Sequence, residues 1–213
     1  MQEDFQSIFD GLLLSDGGIR LQPRKINCVY YQSSSHRGFL LHVMEILKQN
    51  GFTFGDWCPS RYVVKKMNNA VIYGMNSRVN SYSTSERKRW YPEGKKIVPR
   101  DLILTPLAVK YWYYGDGSLS YAHGETLEIH LATHGFTDDD AKFLQERLQK
   151  DCGFSSRLHR EKGKPVIVIR RTNMRDFLEY IGSWNFDCYR YKWIIQNRQL
   201  YNEYKLPKCL CKI

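Results

Sequence analysis

The sequence predicts a duplicated α/β (α+β) domain: two copies of one helix-and-strand order, related by a pseudo-twofold axis, each supplying a sheet. Three observations carry that expectation. An apolar segment of helical period that stops at Asp-Gly occurs twice, with Asp16 and Asp116 standing 100 residues apart. A second amphipathic segment that leaves through Gly-Phe also occurs twice, with Phe52 and Phe154 102 residues apart. The 213-residue chain is 42% hydrophobic, enough to bury a core, which excludes the disordered class.

In the first copy, Phe5, Ile8, Phe9, Leu12 and Leu13 fall at helical spacing. Gly17-Gly18 stops that helix, since two glycines disfavour continuation. The polar, β-forming stretch from Ile19 to Gln32 reads as one long strand. Ser33-Ser34-Ser35 reads as a capping region for a helix carrying Phe39, Leu40, Val43, Met44 and Leu47, which exits through Asn50-Gly51-Phe52. Two short strands follow at 62–65 and 70–73. The second copy opens at Thr105-Pro106, where proline suits a first helical turn. Leu107, Ala108, Tyr111, Trp112 and Tyr114 make its helix apolar on nearly all sides, hence buried. Leu127, Ile129 and Leu131 then alternate with Glu128, His130 and Ala132, the pattern of a half-buried strand. Thr137-Asp138-Asp139-Asp140 has the form of a capping box with Asp in place of Glu. The helix behind it carries Ala141, Leu144 and Leu148 and exits through Gly153-Phe154. Strands at 156–159 and 166–169 and a helix over 173–181 complete the copy. The halves divide as 1–100 and 101–213.

Lys plus Arg total 32 against 22 Asp plus Glu, a formal charge of +10. Such an excess favours a polyanionic partner, because each phosphate neutralised releases counterions. The 15 Tyr and 5 Trp can stack on bases, although most aromatics are core. Six cysteines (Cys28, Cys58, Cys152, Cys188, Cys209, Cys211) form no Cys-x-x-Cys pair and read as reduced thiols of an intracellular protein. The first residues are acidic and then amphipathic, unlike a secretory signal. No apolar run is long enough to span a bilayer, so a membrane is not an expected partner.

Each repeat's first helix ends in an acid followed by glycine. A carboxylate at a helix C-terminus meets the negative end of the macrodipole, and two of them brought together by a pseudo-twofold axis repel. A divalent cation relieves both penalties. Asp oxygens are suitable ligands for Mg²⁺, and metal-bound carboxylates beside a phosphodiester can activate water and stabilise the leaving oxygen. Taken singly, each Asp-Gly reads equally as an ordinary turn; the repetition is what raises the pair.

Gly11-Leu12-Leu13-Leu14-Ser15-Asp16-Gly17 resembles the core of the LAGLIDADG motif. Leu107-Ala108-Val109-Lys110-Tyr111-Trp112-Tyr113-Tyr114-Gly115-Asp116-Gly117 resembles the divergent second motif of the single-chain, intron-encoded members of that homing endonuclease family. Thr105-Pro106, the strand from Lys164 to Ile169 and the late Tyr191-Lys192 extend the resemblance over nearly the whole chain. It implies an αββαββα-type duplicated fold with two curved antiparallel DNA-binding sheets. It implies Asp16 and Asp116 as catalytic metal ligands, with Ser15 and Gly115 in the adjoining metal positions where the family often carries a second acid. By position it also implies a catalytic lysine for each centre, Lys96 and Lys192. Mg²⁺ is the expected cofactor, with Mn²⁺ able to substitute. Gly11 is small enough for tight helix packing while its counterpart is Tyr111, so the two motif helices are expected to cross asymmetrically.

In such a fold the sheets straddle the DNA major groove, which a two-stranded ribbon fits. DNA contacts expected in the first half are Arg20, Gln22, Arg24, Lys25, Asn27, Tyr30 and Gln32 from the long strand, with Arg61, Lys65 and Lys66. Arg87 and Arg89 of a basic loop are expected to grip phosphates. The second half offers Ser118, Ser120, His130, His134, Arg157, Arg160, Arg170 and Arg171, a less basic set. The function implied is a monomeric, site-specific endonuclease that cuts both strands of a long, non-palindromic double-stranded DNA. Its expected place is an organelle (mitochondrion or chloroplast) or a bacterial cytoplasm. The alternative is an RNA maturase that assists splicing of a group I intron and binds that intron RNA.

Overall fold

In the computed structural model the described residues are 2–23, 26–65, 68–122 and 125–195. Arg24, Lys25, Lys66, Cys209 and Cys211 lie outside them. The first repeat runs α1 (Gln2–Leu14), β1 (Gly18–Leu21), β2 (Cys28–Ser34), α2 (Arg37–Gln49), β3 (Ser60–Val64), β4 (Ala70–Asn76), α3 (Ser81–Trp90). The second runs α4 (Pro106–Asp116), β5 (Gly117–Ala122), β6 (Glu125–Ala132), α5 (Asp138–Cys152), β7 (Ser156–Glu161), β8 (Lys164–Arg170), α6 (Met174–Ile181). Both therefore read αββαββα. Each repeat builds a four-stranded antiparallel sheet of the same topology, β1-β2-β4-β3 and β5-β6-β8-β7.

Three local expectations are corrected. The single strand from Ile19 to Gln32 is a hairpin, with Gly18↔Tyr31 and Leu21↔Cys28 as its end pairs. Its counterpart is the hairpin of β5 and β6. Ser33-Ser34-Ser35 does not cap α2: the N-cap is His36, which makes no side-chain cap bond, while Ser34 Oγ accepts from the His36 amide at 3.0 Å. The stretch holding Arg87 and Arg89 is no loop but α3, capped by Asn80, whose side chain accepts from the amides of Tyr82 and Ser83. Only Ser83, Glu86 and Trp90 of α3 are buried, so it lacks the apolar stripe by which a helix shows itself in a sequence.

Elsewhere the local reasoning holds. Thr137 and Asp140 form a reciprocal capping box. Gly51 and Gly153 take φ of 82° and 76°. There the Phe52 amide donates to Leu47 O and the Phe154 amide to Leu148 O, closing both helices through a left-handed residue that glycine adopts without a Cβ penalty. Ala108, Val109, Tyr111, Trp112, Tyr113 and Tyr114 of α4 are all buried.

By packing, the described residues form two compact units, one holding α1 with residues 94–195, the other holding Asp16–Glu93. α1 belongs to the first repeat by element order but packs with the second, because its buried Phe5, Phe9, Leu12, Leu13 and Leu14 pack with α4. A Cβ on Gly11 would overlap the Ala108 carbonyl oxygen and come 2.9 Å from Tyr111 Cβ. Glycine faces tyrosine at the closest approach, as the unequal motifs require.

Candidate active site and nucleic-acid interface

Asp16 lies in a turn two residues past the end of α1 and is exposed. In its own unit its charge reaches Tyr30: burial and then the Asp16 carboxylate push that phenol well above its ordinary pKa. Asp116 is instead the last residue of α4 and half-buried. Gly117 follows because a Cβ there would run into the Tyr113 ring.

Both expected lysines reach the carboxyl end of a motif helix. Lys96 Nζ donates to Ser15 O at 3.4 Å and stands 5.6 Å from the centre of the Phe136 ring. Lys192, in a 3-10 segment (Asp187–Trp193), is buried to 5% exposure. Its Nζ donates to the carbonyls of Tyr113 at 3.1 Å, Tyr114 at 2.6 Å and Gly115 at 3.5 Å. The Tyr113 hydroxyl returns a bond to Lys192 O at 2.6 Å, and the ammonium lies 5.1 Å from the Tyr189 ring centre. A cation among the last carbonyls of a helix neutralises the negative end of its dipole, which offsets the charge of an acid placed there.

The donor set can be tested against a divalent cation. Among the described residues no three His, Cys, Asp or Glu side chains gather as a metal-holding group. Asp16 in one unit and Asp116 in the other are each, taken singly, a hard carboxylate donor of the kind Mg²⁺ accepts, an ion that otherwise keeps several waters. Ser15 and Gly115 fit less well. Ser15 Oγ is turned back to Leu12 O at 3.1 Å, and the carbonyls of Ser15 and Gly115 already face ammonium groups, which repel a second cation.

The sheets sort the expected DNA contacts. Directly opposed residues share a sheet face. In the first sheet Arg20 and Tyr31 share the open face with Ser33 and Asn76. Arg20 donates to Asn76 Oδ1 at 2.9 Å and stacks on Tyr31, 5.6 Å from the ring centre. Tyr30 and Gln32 are on the other face and are buried, with the Tyr30 hydroxyl donating to Gln32 Oε1 at 2.6 Å. They face α2 and α3 rather than the open side, since alternation along β2 turns them inward. Arg61 pairs with Tyr73, one residue out of phase with the open-face Ser60 and Tyr62. Gln22 and Asn27 sit in the hairpin connection and Lys65 lies one residue past β3. Arg87 is tied down on α3, donating to Ile19 O at 2.8 Å and stacking on Tyr91; Arg89 pairs with Glu86 at 3.1 Å.

The second sheet gathers more of its set. Register places Ser118, Ser120, Glu128, His130, Arg157 and Arg170 on one face. His134 follows β6 and stands 3.9 Å from Glu161. Arg160 is on the opposite face, bonded to Asp138 at 2.5 Å, and Arg171 is exposed in the 3-10 turn after β8. Glu128, which alternates with Ile129 in the sequence, lies on this face opposite Ser120 and Arg170; its bond to Arg157 is what the sequence did not show.

A duplicated αββαββα chain with an acid at or just past the end of each motif helix, a lysine on the carbonyls before it and one four-stranded sheet per repeat defines a class of duplicated α/β proteins. The chain belongs to the LAGLIDADG DNA endonuclease family, whose family model matches residues 6–177. It is 34% identical over 165 residues to an uncharacterized protein of Methanocaldococcus jannaschii, covering 76% of this chain and 61% of that one. It is 26% identical over 171 residues to the cytochrome b mRNA maturase bI2 of Debaryomyces hansenii, covering 75% and 61%. A probable intron-encoded DNA endonuclease of Mycosarcoma maydis is 31% identical over 101 residues, 46% of this chain and 72% of that one. The chain thus spans about three fifths of the length of the first two curated relatives. Among solved structures, the homing endonuclease I-WcaI bound to its DNA recognition sequence superposes with a TM-score of 0.81 at 17% identity, over 91% of this chain and 87% of that one. The fold is shared. Among the described residues no helix is long and apolar enough to cross a membrane.

Proposed function

We propose that the chain is a site-specific homing endonuclease that makes a double-strand break in a long, non-palindromic duplex by Mg²⁺-dependent phosphodiester hydrolysis, Mn²⁺ being able to substitute, and that it works as a monomer. The observation that carries this reading is the repeated helix end: acid, glycine, and a lysine on the preceding carbonyls, once per half. Asp16 and Asp116 would hold the metal. Bound Mg²⁺ would lower the pKa of its water and stabilise developing charge on the leaving oxygen. The chain's own groups do the rest. The two carboxylates supply hard oxygen ligands, Lys192 offsets the charge at the end of α4, Lys96 does so at Ser15, and the open sheet faces orient the duplex. Because the halves carry different residues on those faces, the two half-sites differ.

Full-length Asp16→Asn and Asp116→Asn variants test the reading. Replacing a metal-ligating oxygen should lower double-strand cutting by about 10²-fold or more, at or beyond the usual effect of disturbing a ligand's support, while duplex binding persists on the sheets. Wild-type cleavage rates in either variant would remove the assignment. The resemblance to a cytochrome b mRNA maturase favours one second reading, assistance of intron splicing. Failure of the wild-type protein to cut any duplex, with tight binding to a structured group I intron RNA, would decide for it.

A further inference from the structure

On the open face of the second sheet, Glu128 on β6 and Arg157 on β7 reach toward each other across the central strand β8. Arg157 Nη2 donates to Glu128 Oε1 at 2.7 Å and to Oε2 at 3.0 Å. Glu128 also bonds His130 Nε2 at 3.4 Å, whose Nδ1 faces Glu161 Oε1 at 3.1 Å. Beneath them Val168, which opposes His130 on one side and Arg157 on the other, is fully buried, so the pair lies over a packed floor. Arg157 spends only Nη2 on this contact. Its Nε and Nη1 make no hydrogen bond among the described residues, and its side chain is 39% exposed.

We infer that Arg157 is the guanine-reading residue of the second half, and that Glu128 is its positioning residue, holding the guanidinium aimed outward. The inference rests on the endonuclease reading. A guanine edge offers N7 and O6, two acceptors that match a guanidinium fork made by Nη1 and the Nη2 proton left over when the other is shared between the two Glu128 oxygens. An unheld arginine must give up much rotamer freedom to present them; the bond to Glu128 removes that freedom before DNA arrives. Electrostatics selects a base over the backbone. Two carboxylates, Glu128 and Glu161, stand on this face among Arg157, Arg170 and Lys164, with His130 between. The carboxylates bonded to Arg157 and His130 repel a phosphate that approaches Arg157. An uncharged base edge meets no such repulsion.

The test uses the full chain and a randomised duplex library. Duplexes bound and cut in Mg²⁺ are sequenced, and every base pair of the selected site is then substituted singly for wild type, Arg157→Ala and Glu128→Gln. Arg157→Ala should lose a guanine preference at one position of one half-site by about 5- to 150-fold, the span of one bidentate arginine–guanine pair, with the other positions unchanged. Glu128→Gln should relax the same position by a smaller factor without weakening binding to all sequences, which loss of a merely structural ion pair would not do. An Arg157→Ala variant that binds every duplex more weakly by the same factor would make Arg157 a phosphate contact and overturn the inference. So would an unchanged profile while the wild type remains specific. A wild type that selects no duplex overturns the inference together with the endonuclease reading.

Discussion

The two motif helices end in the same Asp-Gly but are finished differently. α1 stops at Leu14, its acid projects into an exposed turn, and half-buried Lys96 reaches Ser15 O at 3.4 Å. α4 continues through its acid, and a buried Lys192 gathers the carbonyls of Tyr113, Tyr114 and Gly115. The lysine of one half is therefore half-buried beside its motif helix, and that of the other is a buried clamp on three carbonyls. The sheets show the same divergence. The first pairs Arg20 with a neutral Asn76; the second covers its open face with a Glu128–Arg157–His130–Glu161 network.

The largest expected difference is in stability. Lys192→Met strands buried carbonyls that a charged donor satisfied and should cost about 2–4 kcal/mol, since bonds to charged groups contribute about 1.5–3 each and are not additive. Lys96→Met should cost less than Lys192→Met, because Lys96 is half-buried and its bond to Ser15 O is long, whereas Lys192 is buried. Denaturant melts of the two variants compare them directly, and equal losses would erase the distinction between clamp and contact.

A second contrast lies between helix glycines. Gly11→Ala forces a methyl into the Ala108 backbone at the α1–α4 crossing and should destabilise by about 1–3 kcal/mol, the usual cost of overpacking. A Cβ added at Gly38, on α2, would meet nothing within 4 Å, so Gly38→Ala should stabilise by about 0.4–1 kcal/mol through the unfolded state. Thermal melts showing both changes with the same sign would refute the close helix approach.

The smallest effect separates the sheets by pH. Burial raises the Glu128 pKa, but the Arg157 and His130 hydrogen bonds outweigh it and hold the carboxyl below its ordinary value. A depressed acid contributes stability above its unfolded pKa, and that contribution is lost as pH falls through the folded value. The stability gap between wild type and Glu128→Gln should therefore be present at neutral pH and close as pH falls through and below the ordinary glutamate range. It should stay under about 1 kcal/mol, since the pair is partly exposed. A gap that is flat from neutral to strongly acidic pH would show that Glu128 is not held by its partners.

Much of this arrangement is determined by sequence alone. Helical period, Asp-Gly stops, Gly-Phe exits and the Thr137 capping box are local: each depends on residues within a turn or two, so each can be read without knowing what it packs against. The duplication follows from their recurrence, and the two acids from the motif ends. Tertiary structure decided what depends on distant partners. It folded the stretch from Ile19 to Gln32 into a hairpin, because a ladder with β4 fixes which residues turn inward, and this carried Tyr30 and Gln32 into the core. It made a helix of the polar segment holding Arg87 and Arg89, which is anchored by Trp90 and by a bond to β1 rather than by any stripe of its own. It also set Arg157 against Glu128, 29 residues away in the chain, because strand order, and not spacing, chooses the neighbours of a side chain on a sheet.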